Sequence, residues 1–262
     1  MILDELANHA RERVARAQEA HPLEEIAERA RALPTAGRAF EAALGRPGLS
    51  FICEVKRASP SKGIIAEDFP YLDIARAYDE AGADCLSVLT EPKWFLGSDA
   101  VFAEIRAETA CPMIRKDFTV DAYQIYEAKL LGADAVLLIC ALLDAPTLAG
   151  CLELCDELGL SALVEAHDER EAAQAAAAGA RLIGVNNRNL RDFTVDTSTA
   201  ERLRGAVPPE ALFVAESGIA SLDDVRKRVR EDDLDARLAA SRREHEQLGE
   251  KIRAALRRFG DE

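Results

Sequence analysis

The feature that most restricts the fold of this sequence is a regular alternation between short apolar runs and longer helical stretches. Seven runs of five residues share this character, and they are residues 51–55, 85–89, 112–116, 135–139, 162–166, 182–186 and 212–216. Runs this apolar are typical of strands that are covered on both faces, and repeated β/α units with right-handed crossovers build a parallel sheet. The sequence therefore predicts an α/β protein with either a closed barrel or an open, doubly wound sheet.

The turns before the strands favour the barrel. AGAD (81–84), LGAD (131–134) and AGAR (178–181) place a glycine at the end of a helix, just before an apolar run, at nearly equal intervals. No GxGxxG motif follows the first run, as a dinucleotide-binding sheet would require. The length of 262 residues also suits one barrel of about 250 residues. We predict a TIM (β/α)8-type barrel.

Two segments flank the predicted barrel units. Residues 1–50 carry helical patterning and predict an N-terminal helical extension, whereas residues 51–228 hold β/α units 1–7. In the last part, 229–262, charged residues make up 16 of the 32 positions from 231 onward, and no β-branched run occurs. We therefore predict only seven strands and a charged helical tail. The resulting open seam would be shielded by the tail or closed by self-association with a partner chain.

Charge and residue usage exclude several classes of function. The net charge of −14 would repel a nucleic acid backbone. No run approaches the 18 or so apolar residues of a membrane span, and the N-terminus lacks a signal sequence, so we predict a cytoplasmic protein. The six cysteines show no ligand spacing, and we expect buried thiols and no metal site. Of the four histidines only His167 falls near the end of an apolar run, and we expect no chemical role for it.

Charged and polar residues gather where the apolar runs end. They are Glu54, Lys56, Lys116, Glu165, Asn186, Glu216 and Ser217. Barrels place catalytic groups at the carboxyl ends of their strands, and alternation puts Glu54 and Lys56 on the same face. If that face is the lumen, Glu54 and Lys56 share one pocket with Lys116 and Glu165. Two lysines and two carboxylates in a partly desolvated cavity can act as separate acids and bases. Structural ion pairs at a barrel rim are the alternative, but buried charge at four strand ends is costly and favours a site.

Five segments resemble the indole-3-glycerol phosphate synthase family. The stretch EVKRASPSKG (54–63) resembles the signature of that family. VLTEPKWFLGS (88–98), IRKDF (114–118), IGVNNRNL (183–190) and VAESGI (214–219) agree with it, in the expected order. The resemblance covers residues 2–228, and it implies closure of an indole ring on 1-(2-carboxyphenylamino)-1-deoxyribulose 5-phosphate, with loss of carbon dioxide and water. It implies no redox or metal cofactor.

The resemblance also assigns roles to residues. Lys116 matches the acid that protonates the ketone oxygen, and Glu165, Glu54 and Lys56 match the groups of the later proton transfers, whose division is left open. Substrate-binding positions are matched by Ser59, Asn186, Arg188, Glu216, Ser217 and Gly218, the last two forming half of the phosphate site. Phe95 is placed to stack on the anthranilate ring, although ordinary loop packing explains it equally well. The loop 57–68 is expected to act as a lid.

Three hypotheses of function follow. The first is an active or formerly active synthase that acts on an anionic phosphosugar. The second is a catalytically impaired or dead relative retained for binding or assembly, because the eighth strand is missing from the sequence. The third is a different phosphate-binding lyase or isomerase on the same barrel.

Overall fold

The computed structural model describes residues 2–35, 37–190 and 192–218. They form two compact units, one made of residues up to Glu41 together with Ile114–Gly218, and the other containing Ala42–Met113. The predictions of a missing eighth strand, a helical tail and a shielded seam concern residues 219–262, which lie outside the described residues. They stay predictions, as does the division at residues 50 and 228.

The described elements alternate between strands and helices. In chain order they are α1 (Ile2–Ala20), α2 (Leu23–Ala32), α3 (Ala39–Leu44), β1 (Ile52–Val55), β2 (Ala58–Ser59), β3 (Gly63–Ile64), α4 (Tyr71–Glu80), β4 (Cys85–Leu89), α5 (Asp99–Glu108), β5 (Met113–Lys116), α6 (Ala122–Leu130), β6 (Ala135–Ile139), α7 (Ala145–Leu158), β7 (Ser161–Ala166), α8 (Glu169–Ala177), β8 (Leu182–Asn186), α9 (Ser198–Leu203) and β9 (Leu212–Glu216). A short 3-10 turn, Arg204–Ala206, follows α9.

The seven longer strands coincide with the seven apolar runs, which confirms the α/β prediction of TIM-barrel type. In the first unit, β5 to β9 pair in parallel in sequential order, and the register places Ile139 beside Glu165 and Asn186 beside Glu216. In the second unit, β1 pairs in parallel with β4. Every residue of β4, β6, β7 and β8 is buried, as expected for strands that are covered on both faces.

Acidic N-caps decide where several strand-to-helix turns end. The side chains of Asp121, Asp144 and Asp168 accept hydrogen bonds from the first backbone N–H groups of α6, α7 and α8. Each cap satisfies donors that would otherwise lack partners at the helix start. Because the helices begin at defined residues, the few positions between strand and helix are fixed, and these positions carry the chemistry described below.

The N-terminal extension is helical, as the sequence predicts, and α1 and α2 belong to the first unit. Arg31 of α2 donates to Tyr126 of α6 and forms an ion pair with Glu157 of α7. Arg13 of α1 makes two hydrogen bonds with Asp117, whose side chain is only 2% exposed. This bidentate pair ties α1 to the residue that follows β5. No helix among the described residues is long and apolar enough to cross a membrane.

Candidate active site

Three charged side chains meet at the ends of three different strands in the first unit. Lys116 Nζ at the end of β5 donates to Glu216 Oε2 of β9 over 3.4 Å and lies 3.8 Å from Glu165 Oε2 of β7. The side chains of Lys116, Glu165 and Glu216 are 18%, 4% and 12% exposed. Two carboxylates around one ammonium group in such a dry environment stabilise its charge strongly. We call these three residues the Lys116 cluster.

A glycine makes room for one member of the cluster. Gly184 of β8 pairs with Glu165 of β7 and with Val214 of β9, and a Cβ at this position would collide with Glu216 Oε1. Any larger residue would therefore displace the Glu216 carboxylate from its place beside Lys116. The IGVNN segment thus contributes to the site through an absent side chain as well as through its polar residues.

Glu165 is held in its ionised form. Burial alone would raise the pKa of its carboxyl, but His167, Lys116 and the Asn186 amide favour the carboxylate and together lower that pKa. A buried group that remains ionised because cations surround it can accept a proton only when its surroundings change. This environment is the type that separates acids from bases in active sites.

His167, for which the sequence predicts no chemical role, lies beside the Lys116 cluster. Its Nε2 lies 3.3 Å from Glu165 Oε1, and its Nδ1 lies 3.0 Å from Glu171 Oε2. The two carboxylates outweigh the effect of burial, which acts to lower the pKa of the ring, and they raise that pKa to about 10. The signal in the sequence was the spacing: His167 stands two residues after Glu165 and four before Glu171.

The loops after β8 and β9 are joined by a second residue that the sequence analysis did not select. The Asn187 side chain donates to the Ser217 carbonyl and accepts from the Ala200 backbone N–H. Ser217 and Gly218 both have positive φ, and a Cβ on Gly218 would collide with Val195. Glycine is therefore required at 218 for both its backbone conformation and its lack of a side chain. The phosphate-binding role of Ser217 and Gly218 stays a prediction.

Asn186 and Arg188 are partly engaged with their own loop. The Asn186 side chain accepts from the backbone N–H of Arg188, and Arg188 Nη1 donates to the Phe193 carbonyl. A bridge between Arg188 and Val195 closes the same loop. A substrate anion would therefore meet an Arg188 that is already oriented.

The second unit contains a different lysine–carboxylate pair. Lys56 Nζ donates to Glu54 Oε1 over 2.6 Å, and the Ser87 hydroxyl donates to Glu54 Oε2 over 3.3 Å. The side chains of Lys56 and Glu54 are 28% and 32% exposed. This pair lies at the end of β1, as the sequence predicts, but its side chains are more exposed to solvent than those of the Lys116 cluster.

Ser59 and Phe95 lie in loops of the second unit that contact each other. Within the expected lid loop, β2 and β3 form a short antiparallel hairpin, and the Ala58 backbone N–H donates to the Phe95 carbonyl. The Ser59 hydroxyl accepts from the Lys62 N–H. Glu91, another residue that the sequence analysis did not select, is buried and accepts from the backbone N–H groups of Lys93, Trp94 and Phe95. Glu91 therefore sets the position of Phe95.

The cysteines are buried, as the sequence predicts. All six are in the described part of the chain and none forms a disulfide, and burial raises the pKa of Cys53 and Cys140 to about 12. Such thiols are poor nucleophiles and poor ligands at neutral pH. Among the described residues, no group of three or more acidic, histidine or cysteine side chains is arranged to hold a metal ion.

Comparison with known proteins identifies the family. The family model for indole-3-glycerol phosphate synthase matches residues 3–247. This match extends past residue 228, where the resemblance found in the sequence ended. The chain is 57% identical to the indole-3-glycerol phosphate synthase of Ruminiclostridium cellulolyticum over 187 residues, which cover 71% of this chain and 72% of that protein.

Two relatives that align over more of the chain have comparable sequence identity. The synthase of Lactiplantibacillus plantarum is 50% identical over 84% of each chain, and that of Lacticaseibacillus paracasei is 47% identical over 87% of this chain and 88% of its own length. Among solved structures, the N-acetylmannosamine-6-phosphate 2-epimerase of Clostridium perfringens matches with a TM-score of 0.52 at 15% identity, covering 69% of this chain and 81% of that one. That likeness concerns the fold alone. The sequence matches show that this chain belongs to the indole-3-glycerol phosphate synthase family.

Proposed function

We propose that this chain closes the indole ring of 1-(2-carboxyphenylamino)-1-deoxyribulose 5-phosphate, releasing carbon dioxide and water to give indole-3-glycerol phosphate. The observation that carries the proposal at the level of residues is the Lys116 cluster, in which one ammonium group lies 3.4 Å and 3.8 Å from two largely buried carboxylates. This arrangement supplies a cationic acid beside ionised bases, which the reaction requires.

Lys116 is the general acid in this proposal. As the aromatic carbon attacks the ketone, negative charge develops on the ketone oxygen, and a positioned ammonium group neutralises it. The carboxylates of Glu165 and Glu216 keep the lysine protonated until that moment. Loss of carbon dioxide then returns the electron pair of the broken carbon–carbon bond to the ring and restores its aromaticity.

Glu165 is the proposed base of the dehydration step. Dehydration needs a base to remove a proton from the ring system and an acid to protonate the hydroxyl so that it departs as water. The ionised Glu165 carboxylate beside Lys116 is suited to accept the first proton. Glu54 and Lys56 also belong to the proposed catalytic set, and they enter it through the family motif. The parts of Glu54 and Lys56 in the later proton transfers stay open.

Substrate binding is assigned to the loops around these strand ends. We propose that Ser217 and Gly218 contact the phosphate and that Asn186 and Arg188 orient the sugar. Ser59, Glu216 and a stacking contact from Phe95 complete the proposed set. Because the chain carries a net charge of −14, local cations must attract the anionic phosphosugar against the overall field. A cytoplasmic location belongs to the same proposal.

The experiment is an assay of the full chain with this substrate. Formation of the fluorescent indole product should accompany release of carbon dioxide in equal amounts. A chain that binds the substrate without forming either product would be the impaired relative considered above. Turnover of other phosphosugars in preference to this one would replace the proposal with the third hypothesis.

A further inference from the structure

His167 links the start of a helix to the Lys116 cluster. Its ring lies between two carboxylates, 3.3 Å from Glu165 and 3.0 Å from Glu171, and its side chain is 17% exposed. The side chains of Glu165 and Glu171 are 4% and 7% exposed. A histidine between two such carboxylates differs from a surface histidine, because neither carboxylate has bulk water as its main partner.

The position of Glu171 is set by the local fold. Asp168 caps α8 by accepting from the Glu171 N–H over 2.8 Å, and Glu171 Oε2 reaches back to accept from the His167 backbone N–H over 2.9 Å. This reciprocal arrangement is related to a capping box. The same Oε2 atom also contacts His167 Nδ1. The helix start therefore fixes the plane of the ring, and Nε2 is directed towards Glu165.

The contact between His167 and Glu165 is a close approach of the two side chains without the geometry of an aligned hydrogen bond. Nε2 lies 3.3 Å from Glu165 Oε1, but it has no hydrogen-bond partner of proper geometry. The opposite oxygen of Glu165, Oε2, is the one that lies 3.8 Å from Lys116. Glu165 thus has one basic side chain near each oxygen, and the two basic side chains come from different elements.

The charged and titratable groups around this chain of contacts come from several elements. They are Lys116 of β5, Cys140 after β6, Glu165 of β7, Asp168, Arg170 and Glu171 at the start of α8, and Glu216 of β9 through Lys116. The neutral amide of Asn186 also donates to Glu165. Acidic groups outnumber cations around the ring, so the imidazolium form is favoured although the ring is largely buried.

We propose that His167 is a positioning residue that, as a fixed imidazolium held by Glu171, orients Glu165 towards Lys116 and keeps it ionised. The catalytic consequence of this inference rests on the proposed function. The charge state of the ring can be tested whether or not the chain has that function. Loss of the imidazolium would leave Lys116 as the main cation beside Glu165. The carboxylate would then bind protons more readily and would be free to rotate.

The first test observes the ring directly. In the full chain labelled with ¹⁵N-histidine, long-range ¹H–¹⁵N correlations separate charged from neutral imidazoles, and the four histidines are distinguished by the signal that His167→Gln removes. At pH 8 the His167 ring should be doubly protonated and should lose its proton only near pH 10. A neutral His167 ring at pH 8 would overturn the proposal, whether or not the chain is a synthase.

The second test uses stability. Because the pKa of His167 is raised from 6.5 to about 10 in the folded chain, its charged form stabilises the fold fully below the lower value and loses this effect as pH rises through the upper one. The difference in Tm between the natural chain and His167→Gln should therefore shrink between pH 7 and pH 10. A difference that stays constant across this range would contradict the ion-pair account.

The third test is kinetic and separates positioning from mere stability. With His167→Gln, kcat should fall about tenfold, and the acidic limb of kcat/KM should move up by about one pH unit, since Glu165 would protonate more easily. His167→Lys should restore part of the rate by restoring a cation. Glu171→Gln keeps the ring but removes one anion, so the His167 ring should lose its proton at lower pH in the NMR experiment.

A matched control exists on the surface. His21 forms a similar i,i+4 pair with Glu25, at 3.4 Å, but these side chains are 59% and 48% exposed. His21→Gln should leave kcat and the acidic limb unchanged. A His167→Gln variant that is folded and has an unmoved acidic limb and an unchanged kcat would reduce His167 to a packing residue. If the chain lacks synthase activity altogether, the NMR and stability tests still decide the charge state.

Discussion

Two lysine–carboxylate pairs in this chain look alike in the sequence but differ in their surroundings. Lys56 and Glu54 lie two residues apart at the end of one strand, 2.6 Å apart and about 30% exposed, and the Ser87 hydroxyl also donates to the carboxylate. Lys116 contacts carboxylates from two other strands, and these are 4% and 12% exposed. The shorter distance belongs to the wetter pair.

The comparison shows that the distance between the charged atoms does not by itself decide which pair has the stronger charge interaction. Water and salt screen the partly exposed pair, so its contribution is small, whereas burial strengthens each charge interaction in the Lys116 cluster. The buried cluster also extends through His167 to Glu171, whereas the contact of Ser87 with the second pair adds a neutral hydroxyl. We therefore assign the central proton transfers to the Lys116 cluster and give the Lys56–Glu54 pair a supporting part.

The largest effect should follow replacement of Lys116. Lys116→Ala removes the only cation that contacts both Glu165 and Glu216 among the described contacts. We expect kcat to fall by about a hundredfold or more, the usual loss for a general acid. Steady-state turnover at saturating substrate measures this, and near-normal kcat would remove Lys116 from the mechanism.

Replacement of Glu165 should rank next. Because its pKa is lowered, the natural chain should keep Glu165 ionised at neutral pH and lose that activity only as the pH falls through the depressed value. Glu165→Gln should lower kcat by up to about a hundredfold. The part of the acidic limb that Glu165 causes should disappear from the pH profile, and an unchanged profile together with unchanged kcat would refute the assignment.

A smaller effect is expected at Lys56. Since this side chain is 28% exposed, Lys56→Ala should lower kcat/KM by about tenfold, with a dependence on ionic strength that the Lys116 variant lacks. The measurement is kcat/KM for both variants at low and high salt. If Lys56→Ala lowered kcat/KM as much as Lys116→Ala and the decrease did not depend on ionic strength, the distinction between the two pairs would be wrong.

The smallest effect concerns Glu91, which positions the loop of Phe95. Glu91→Gln keeps the shape of the side chain but weakens its three hydrogen bonds from backbone N–H groups. We expect KM to rise about threefold with kcat nearly unchanged, because the loop is held less firmly. Trp94, the single tryptophan, reports the loop by fluorescence. Glu104→Gln, on exposed α5, is the control, and a Glu91 variant with unchanged fluorescence and KM would contradict this role.

Much of the fold was predictable because burial imposes a simple pattern. Strands covered on both faces need apolar runs, and four of the seven predicted runs match the observed strands residue for residue: 85–89, 135–139, 182–186 and 212–216. Polar residues at the ends of such runs were conspicuous for the same reason. Lys116, Glu165 and Glu216 therefore could be selected from the sequence, although only the structure gives their mutual distances.

The residues that were missed act through contacts that no short motif encodes. His167 matters because the start of α8 brings Glu171 back to it, and Glu91 matters because a turn aims three backbone N–H groups at one carboxylate. Asn187 was overlooked beside Asn186, although its side chain joins two loops. Each depends on side-chain direction and backbone geometry, which sequence spacing leaves open.

The most direct test of the difference between the two pairs separates binding from chemistry in single-turnover experiments. Lys116→Ala and Lys56→Ala would each be mixed in excess with the substrate, with binding followed by Trp94 fluorescence and chemistry by formation of the indole product. Lys116→Ala should bind the substrate within about threefold of the natural chain yet convert it at least about a hundred times more slowly, whereas Lys56→Ala should bind more weakly and still convert it. The reverse pattern, with rapid conversion by Lys116→Ala and none by Lys56→Ala, would contradict the account.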